Sequence, residues 1–508
     1  MVAGSARSGR TTAVRTLVAE LARSTSTEDL HIYALDCAGG SLAALSTLPH
    51  VGAVATILEH ERVVRLISML DAELNRRQAL FAAHGFGSVT EQRSVSADRL
   101  PHVVLAIDGW EPFCALFDDV DNGALVDAAW RLLRAGGAAG MHVVVTADRA
   151  GLVGRLASTV DHRLILRQAD RADFSLIGLA PRLVPATLPP GRGYLASSLL
   201  ETQVCLLISD PSSASQLAAL AEIAGSTRLR DAAVPMHSRP RRIDPLPTHI
   251  SLGEIPSTSH AAAGGAVGAV GAVGATSIVL GIGGDELRPI VVDLQTVGPG
   301  FIVAGPPRSG RSSALATICA GLRMSGRHVI AVTPRPSMLA DYANECWSSS
   351  VSDLTAMTHD LPANCAVLVD DAELVMETPV AAVLDRLMRT ERDNGHVLVI
   401  AGTTEELSIG FRGFIVDARR GRAGVVLCPR GPLDGELLGV RLPRGDRSPT
   451  PPGRGLLVVG GATVAFQVAL PPPLPNRVAY PQTVMAIVPS AVLPALTDTT
   501  ASPSTAPL

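Results

Sequence analysis

One signature occurs twice in the chain: Gly4-Ser5-Ala6-Arg7-Ser8-Gly9-Arg10-Thr11 and Gly305-Pro306-Pro307-Arg308-Ser309-Gly310-Arg311-Ser312. Both fit G-x-x-x-x-G-[basic]-[ST], a loop that cradles phosphate between a strand and the helix after it. The repeat extends well beyond the loops. Each is followed by a stretch with apolar residues at helical spacing, Thr11 to Arg23 and Ser312 to Met324. Each then shows an unbroken apolar run closed by an acid, at 103–108 ending in Asp108 and at 366–370 ending in Asp370. A second apolar run follows with a threonine at or beyond its end, Thr146 in one copy and Thr403 in the other. Each copy closes on the same words, Pro189-Pro190-Gly191-Arg192-Gly193 with Gln203-Val204, and Pro451-Pro452-Gly453-Arg454-Gly455 with Gln467-Val468. Unbroken apolar runs alternating with helical patterns imply parallel strands covered on both faces. The expected fold is therefore α/β, two tandem P-loop NTPase (RecA-like) modules with mainly parallel, helix-covered sheets.

The expected boundaries are residues 1–207 for the first module and 208–285 for a connector. The second module is expected over 286–470 and a disordered tail over 471–508. The connector holds a Gly-Ala-Val triplet repeated from Gly265 to Gly274. The uncharged run from Ala261 to Gly284 has the length of a membrane span, but glycine and alanine supply little transfer energy, so a flexible linker is expected. The first module also has an insertion, Arg62 to Gly85, in which Val63, Ile67, Leu70, Leu74 and Phe81 share a helical face. That face is expected to pack on its own module, with a contact surface for a neighbour as the alternative. Only Val2-Ala3 precedes the first loop, whereas Phe301-Ile302-Val303-Ala304 aims the second. The first strand is thus expected to be supplied from upstream or by another chain.

A net charge of −4 makes no global case for a nucleic-acid partner, whose expected footprint is a strongly basic face. The seven cysteines have neither paired spacing nor a C-x-x-C, and read as buried thiols rather than a disulfide framework or zinc site. Within each loop, successive backbone N–H groups and a helix N-terminus should converge on phosphate oxygens. This assigns Gly4, Ser5, Ala6, Arg7, Ser8, Gly9, Arg10 and Thr11, with Gly305, Pro306, Pro307, Arg308, Ser309, Gly310, Arg311 and Ser312, to nucleotide binding. Thr11 and Ser312, with Asp108 and Asp370, are the candidate magnesium ligands, directly or through water. The expected cofactors are ATP and Mg2+.

Hydrolysis is less well provided for. All 43 basic residues are arginine, including Arg10 and Arg311 where such loops place lysine. A planar guanidinium cannot occupy the place of a compact ammonium. The position after the strand-end acid, where a carboxylate would activate water, is Gly109 in one copy and Asp371 in the other, with Glu111 and Glu373 out of register. Asp108, Asp370 and Asp371 are the candidate catalytic residues, and weak or absent turnover is expected.

These loops, acidic strand ends and Pro-Gly-Arg-Gly words resemble the FtsK/SpoIIIE family of ring-forming motor ATPases, in its tandem-ATPase, EccC-type branch. The segment Ser158 to Leu166, with Asp161 and Arg163, and the connector Arg242-Ile243-Asp244-Pro245-Leu246-Pro247 are part of the resemblance. The resemblance implies an ATP-binding tandem module of a type VII-like secretion apparatus that regulates, or docks substrate, while an upstream module hydrolyses. It further implies a ring-forming homo-oligomer whose partners are membrane-anchored complex subunits or an upstream motor domain, with secreted peptides as substrates. The implied location is cytoplasmic, at the membrane through a partner or a missing N-terminal region. Arg149 and Arg163 are candidates for reaching a neighbour's nucleotide, against ordinary salt bridges. An active DNA translocase and a nucleotide-free scaffold are the alternatives.

Overall fold

The structure, a computed structural model, describes residues 1–255, 277–298, 300–347, 364–409, 412–442 and 450–474. The Gly-Ala-Val triplets and residues 475–508 of the expected tail lie outside these. All of the architecture below belongs to one compact unit, Met1–Pro472.

The first sheet has eight strands: β1 (Val2–Ala3), β2 (Leu30–Asp36), β3 (Val51–Thr56), β4 (His102–Asp108), β5 (Met141–Ala147), β6 (Leu164–Leu166), β7 (Arg192–Leu195) and β8 (Glu201–Gln203). The second has ten: β9 (Ser277–Gly283), β10 (Arg288–Asp293), β11 (Phe301–Ala304), β12 (Val329–Val332), β13 (Glu345–Trp347), β14 (Ala366–Val369), β15 (Val397–Gly402), β16 (Gly424–Leu427), β17 (Arg454–Val459) and β18 (Ala462–Val468). Their orders are 3-2-4-5-1-6-7-8 and 10-9-18-17-16-11-15-14-12-13. Read from the opposite edge, the second order reproduces the first strand for strand, with an antiparallel hairpin, β9–β10, added beyond β18. The repeat in the sequence is therefore a repeat of topology.

In both sheets the strands from the far edge to β6 or β16 run parallel, and the last hairpin runs antiparallel. The unbroken apolar runs follow from this. Val103, Leu105 and Ile107 of β4 enter one core while Val104 and Ala106 enter the other. In β14, Val367 and Val369 face one core and Ala366 and Leu368 the opposite one. Both faces are covered, so the run stays apolar from Val103 in β4 and from Ala366 in β14 until each strand ends at its acid.

Val2–Ala3 itself forms the central strand, hydrogen-bonded between β5 and β6. Helices α1 (Arg10–Ser24) and α2 (His60–His84) follow, the second matching the expected insertion helix and ending at Gly85 in a left-handed cap. Helix α3 (Ser213–Arg230) lies in the span expected as connector. It packs Leu220 and Ala224 against Val14 and Val18 of α1. β9 lies in the same span and pairs with β18 of the second sheet. Among the described residues no helix is long and apolar enough to cross a membrane. The seven cysteines are free, but only Cys37, Cys319 and Cys365 are buried; Cys205 and Cys346 are exposed, contrary to the expectation of buried thiols.

Candidate nucleotide sites

Each loop leaves the C-terminal end of a central strand and runs into α1 or, in the second module, α4 (Arg311–Met324). The two share one backbone conformation: Arg7 and Arg308 are left-handed at φ 58° and 66°, Gly9 and Gly310 at 102° and 97°. Gly9 and Gly310 supply no side-chain cap, so the first N–H groups of both helices keep no partner from the cap and point into the loop. The hydroxyls of Ser8 and Ser309 are buried with no hydrogen-bond partner. A cradle of unsatisfied donors fits a phosphate chain.

The repeated Pro-Gly-Arg-Gly words brace this cradle. Gly191 N donates to Ser8 O at 2.7 Å, and Gly453 N to Ser309 O at 2.8 Å. Val204 and Val468 donate in turn to the carbonyls of Gly191 and Gly453. Gln203 and Gln467 donate through Nε2 to Pro190 O and Pro452 O, and accept from Arg192 and Arg454 through Oε1. A Cβ on Gly9 would lie 2.9 Å from Gly191 N, so neither loop nor brace has room for a larger residue there.

The candidate metal ligands are brought together in both copies. Thr11 Oγ1 donates to Asp108 Oδ2 and Ser312 Oγ to Asp370 Oδ2, each at 2.7 Å. Both aspartates are buried at strand ends. A hydroxyl and a carboxylate oxygen side by side at a phosphate cradle fit a magnesium ion, which would offset phosphate charge.

Beyond these shared parts the modules diverge. In the first, Thr146 Oγ1 donates to Asp108 Oδ1 at 2.6 Å and accepts from Gly109 N at 2.8 Å. Strand register places Ala401, not Thr403, at the corresponding point, because Ala3 pairs with Ala147 and Ala304 with Gly402. Thr403 instead caps the next helix by accepting from Glu406 N, as Asp148 accepts from Ala150 N. The pairing of the two threonines expected from sequence is therefore corrected. In the second module Ser337, a residue with no sequence signal, donates to Asp370 Oδ2 at 2.6 Å.

The two loop arginines also differ. Arg311 donates to Asp371 Oδ1 at 3.1 Å and lies 3.8 Å from Glu373 Oε1. Arg335 approaches Asp371 at 3.9 Å. Burial pushes the Glu373 carboxyl above its ordinary range, against the pull of Arg311. Arg10 has no hydrogen-bond or ion-pair partner among the described residues. Glu111 accepts from Asp148 N at 3.2 Å, and burial with the nearby Asp148 raises its pKa. Arg149 pairs with Asp173 of its own module at 2.8 Å, an ordinary salt bridge. Arg163 Nε is buried without a partner.

The insertion helix turns both ways. Val63, Leu66, Ile67, Leu70 and Leu74 pack into the first module's core. Arg62 donates to Ile243 O, and Arg65 to Asp244 O and Gly284 O. Glu61 lies 3.6 Å from Arg454, which also donates to Leu246 O and Pro247 O. The helix thus packs on its own module and also contacts the connector and the second module's brace.

Fold and sites together define a tandem P-loop NTPase. Residues 1–199 match the model of the FtsK/SpoIIIE family. The chain is similar to the ESX-4 secretion system protein EccC4 of Mycobacterium tuberculosis, 28% identical over 93% of this chain and 38% of that protein. It is also similar to the ESX secretion system protein EccC of Thermomonospora curvata, 29% identical over 63% of this chain and 23% of that protein. The chain therefore spans less than half the length of these relatives. Among solved structures, EssC (ATPases 2 and 3) of Geobacillus thermodenitrificans superposes with a TM-score of 0.67 at 19% identity, covering 93% of this chain and 91% of that one. Thermomonospora curvata EccC (ATPases 2 and 3), in complex with a signal sequence peptide, gives 0.58 at 24% identity, covering 92% and 87%. At these identities the two structures show a shared tandem fold.

Proposed function

We propose that this chain is an ATP-binding tandem module of a type VII-like secretion motor, with weak or no hydrolysis of its own, that regulates the apparatus or docks its substrate. The observation that carries the reading is the duplicated cradle in which Thr11 meets Asp108 and Ser312 meets Asp370. These parts suit binding of Mg-ATP. The hydrolytic parts are weaker: arginine replaces the loop lysine, and Gly109 and Asp371 stand where a water-activating glutamate would be useful. Loss of one positioned electrostatic contact costs roughly 10²–10³ in rate. Similarity to EccC proteins supports a secretion role, with membrane-anchored complex subunits or an upstream motor domain as partners and a ring-forming homo-oligomer as the assembly. The peptide in the Thermomonospora structure supports a secreted peptide as the docked ligand. Placement at the cytoplasmic face of a membrane, through a partner, belongs to the same reading.

The test is calorimetric titration with Mg-ATP and a turnover assay on one preparation, with Arg10→Lys and Arg311→Lys alongside. Saturable binding with turnover near background is expected. Turnover of several per second in the wild type refutes the weak-hydrolysis reading. No binding at millimolar ATP leaves the nucleotide-free scaffold, and DNA-stimulated, salt-dependent turnover leaves the DNA translocase.

A further inference from the structure

The two cradles have the same backbone but different surroundings for the charge that meets the phosphates. In the second, Arg311 sits among carboxylates: Asp371 at 3.1 Å and Glu373 at 3.8 Å, with side chains 13%, 20% and 12% exposed. Partial burial weakens solvent screening, so this cluster holds the guanidinium more firmly than a surface pair would. Arg311 Nη1 is buried with no hydrogen bond, so the carboxylates attract it without satisfying it. In the first cradle the position of Asp371 is Gly109, and Glu111 is turned to the backbone of Asp148. Arg10 keeps no partner among the described residues. One fold thus presents the same arginine once claimed and once unclaimed.

We propose that Asp371, assisted by Glu373, competes with nucleotide phosphate for Arg311, so that the second loop binds ATP more weakly than the first. The inference rests on the nucleotide-binding reading and adds the residue that makes the sites unequal. A phosphate entering the second cradle must draw Arg311 from Asp371 and then lie near that carboxylate, whose charge opposes its own. The first loop meets neither cost. Asp371 has a left-handed backbone, φ 46°, which asparagine tolerates, so Asp371→Asn removes the charge and keeps the turn.

The experiment is hydrogen exchange followed by mass spectrometry on the full chain, titrated with Mg-ATP, reading protection of the amides in 4–11 and 305–312 separately. In the wild type the first loop should be protected at lower ATP than the second. Asp371→Asn should lower the second loop's half-saturating concentration roughly fivefold and leave the first unchanged. Glu373→Gln should act in the same direction more weakly, and Arg311→Ala combined with Asp371→Asn should abolish the gain. If the first loop saturates normally and neither Asp371→Asn nor Glu373→Gln moves the second, the competition is overturned while nucleotide binding stands. Protection at neither loop in any variant overturns both.

Discussion

Thr146 shows how much one hydroxyl can organise. It donates to Asp108 and accepts from Gly109 N, so it fixes the orientation of the carboxylate that Thr11 also touches. Thr146→Val keeps the shape and leaves a buried amide and a carboxylate oxygen short of partners, at a cost of about 1–3 kcal/mol. The first module should unfold at lower denaturant, and its affinity for Mg-ATP should fall; chemical denaturation with and without Mg-ATP checks both. The matching residue in the second module is Ala401, so its natural state already lacks this contact. Sequence alone pairs Thr146 with Thr403, since apolar runs do not mark where a strand ends to the residue. Only the hydrogen-bond register decides which residue faces the acid. The loop residues were legible because glycine and hydroxyl positions there follow from phosphate geometry. Ser337 was not, because it arrives from a segment with no motif of its own.

The brace formed by β7 with β8, and by β17 with β18, gives the Pro-Gly-Arg-Gly words a physical reason. Gly191 and Gly453 adopt φ 79° and 80° and donate to the loop carbonyls of Ser8 and Ser309. A Cβ on Gly453 would lie 2.6 Å from Gln467 Nε2. Gly453→Ala adds a left-handed penalty of about 1 kcal/mol and displaces the glutamine. Faster exchange of the amides in 305–312 is expected, with those in 4–11 unaffected; equal exchange in both loops would refute the bracing role. Helix α2 works at longer reach. Arg65→Ala removes donors to Asp244 O and Gly284 O, and should expose residues 241–250 to limited proteolysis with little change in the first module's own stability. The apolar face of α2 was readable from its spacing, whereas the destination of its arginines required the tertiary fold. The hairpin β9–β10 is not legible in the sequence because β9 follows a glycine-rich stretch and carries glycines itself at 281 and 283. Gly281 and Gly283 are needed there: a Cβ on either would strike the backbone of β18 or the Phe466 side chain.

The described residues of the two modules and of the connector belong to one compact unit, and histidines help to secure the connector's first half to the first module. His31 Nε2 lies 3.1 Å from Ser238 O. His50 Nε2 lies 2.8 Å from Thr25 O and 3.6 Å from Asp231, whose Oδ2 accepts from Thr27 N. Burial holds the pKa of both histidines below the ordinary 6.5, although carbonyl contacts, and Asp231 in the case of His50, pull upward. The second ring nitrogen of His50 is buried without a partner, so an added proton there would go unsolvated. Below about pH 6.5 the unfolded chain takes up protons that the folded chain resists, so the unfolded state binds more and stability falls as pH falls. Above that pH both states are neutral at these positions, and no dependence arises from them. The contribution of these two histidines to thermal stability should therefore be flat on the alkaline side of this point and decline on the acid side, while the buried Met1 amine, lowered to about 6, extends the decline from its ordinary value of 8.0 downward. The first module should lose more stability than the second, since it holds both His31 and His50, whereas the second holds His396, which burial lowers in the same direction. Near-ultraviolet circular dichroism of the Trp110–Trp130 pair, whose rings stand 4.9 Å apart at 81°, follows the first module's core directly. A midpoint independent of pH between about 7.5 and 5.5 would show that these histidines titrate alike in the folded and unfolded chain.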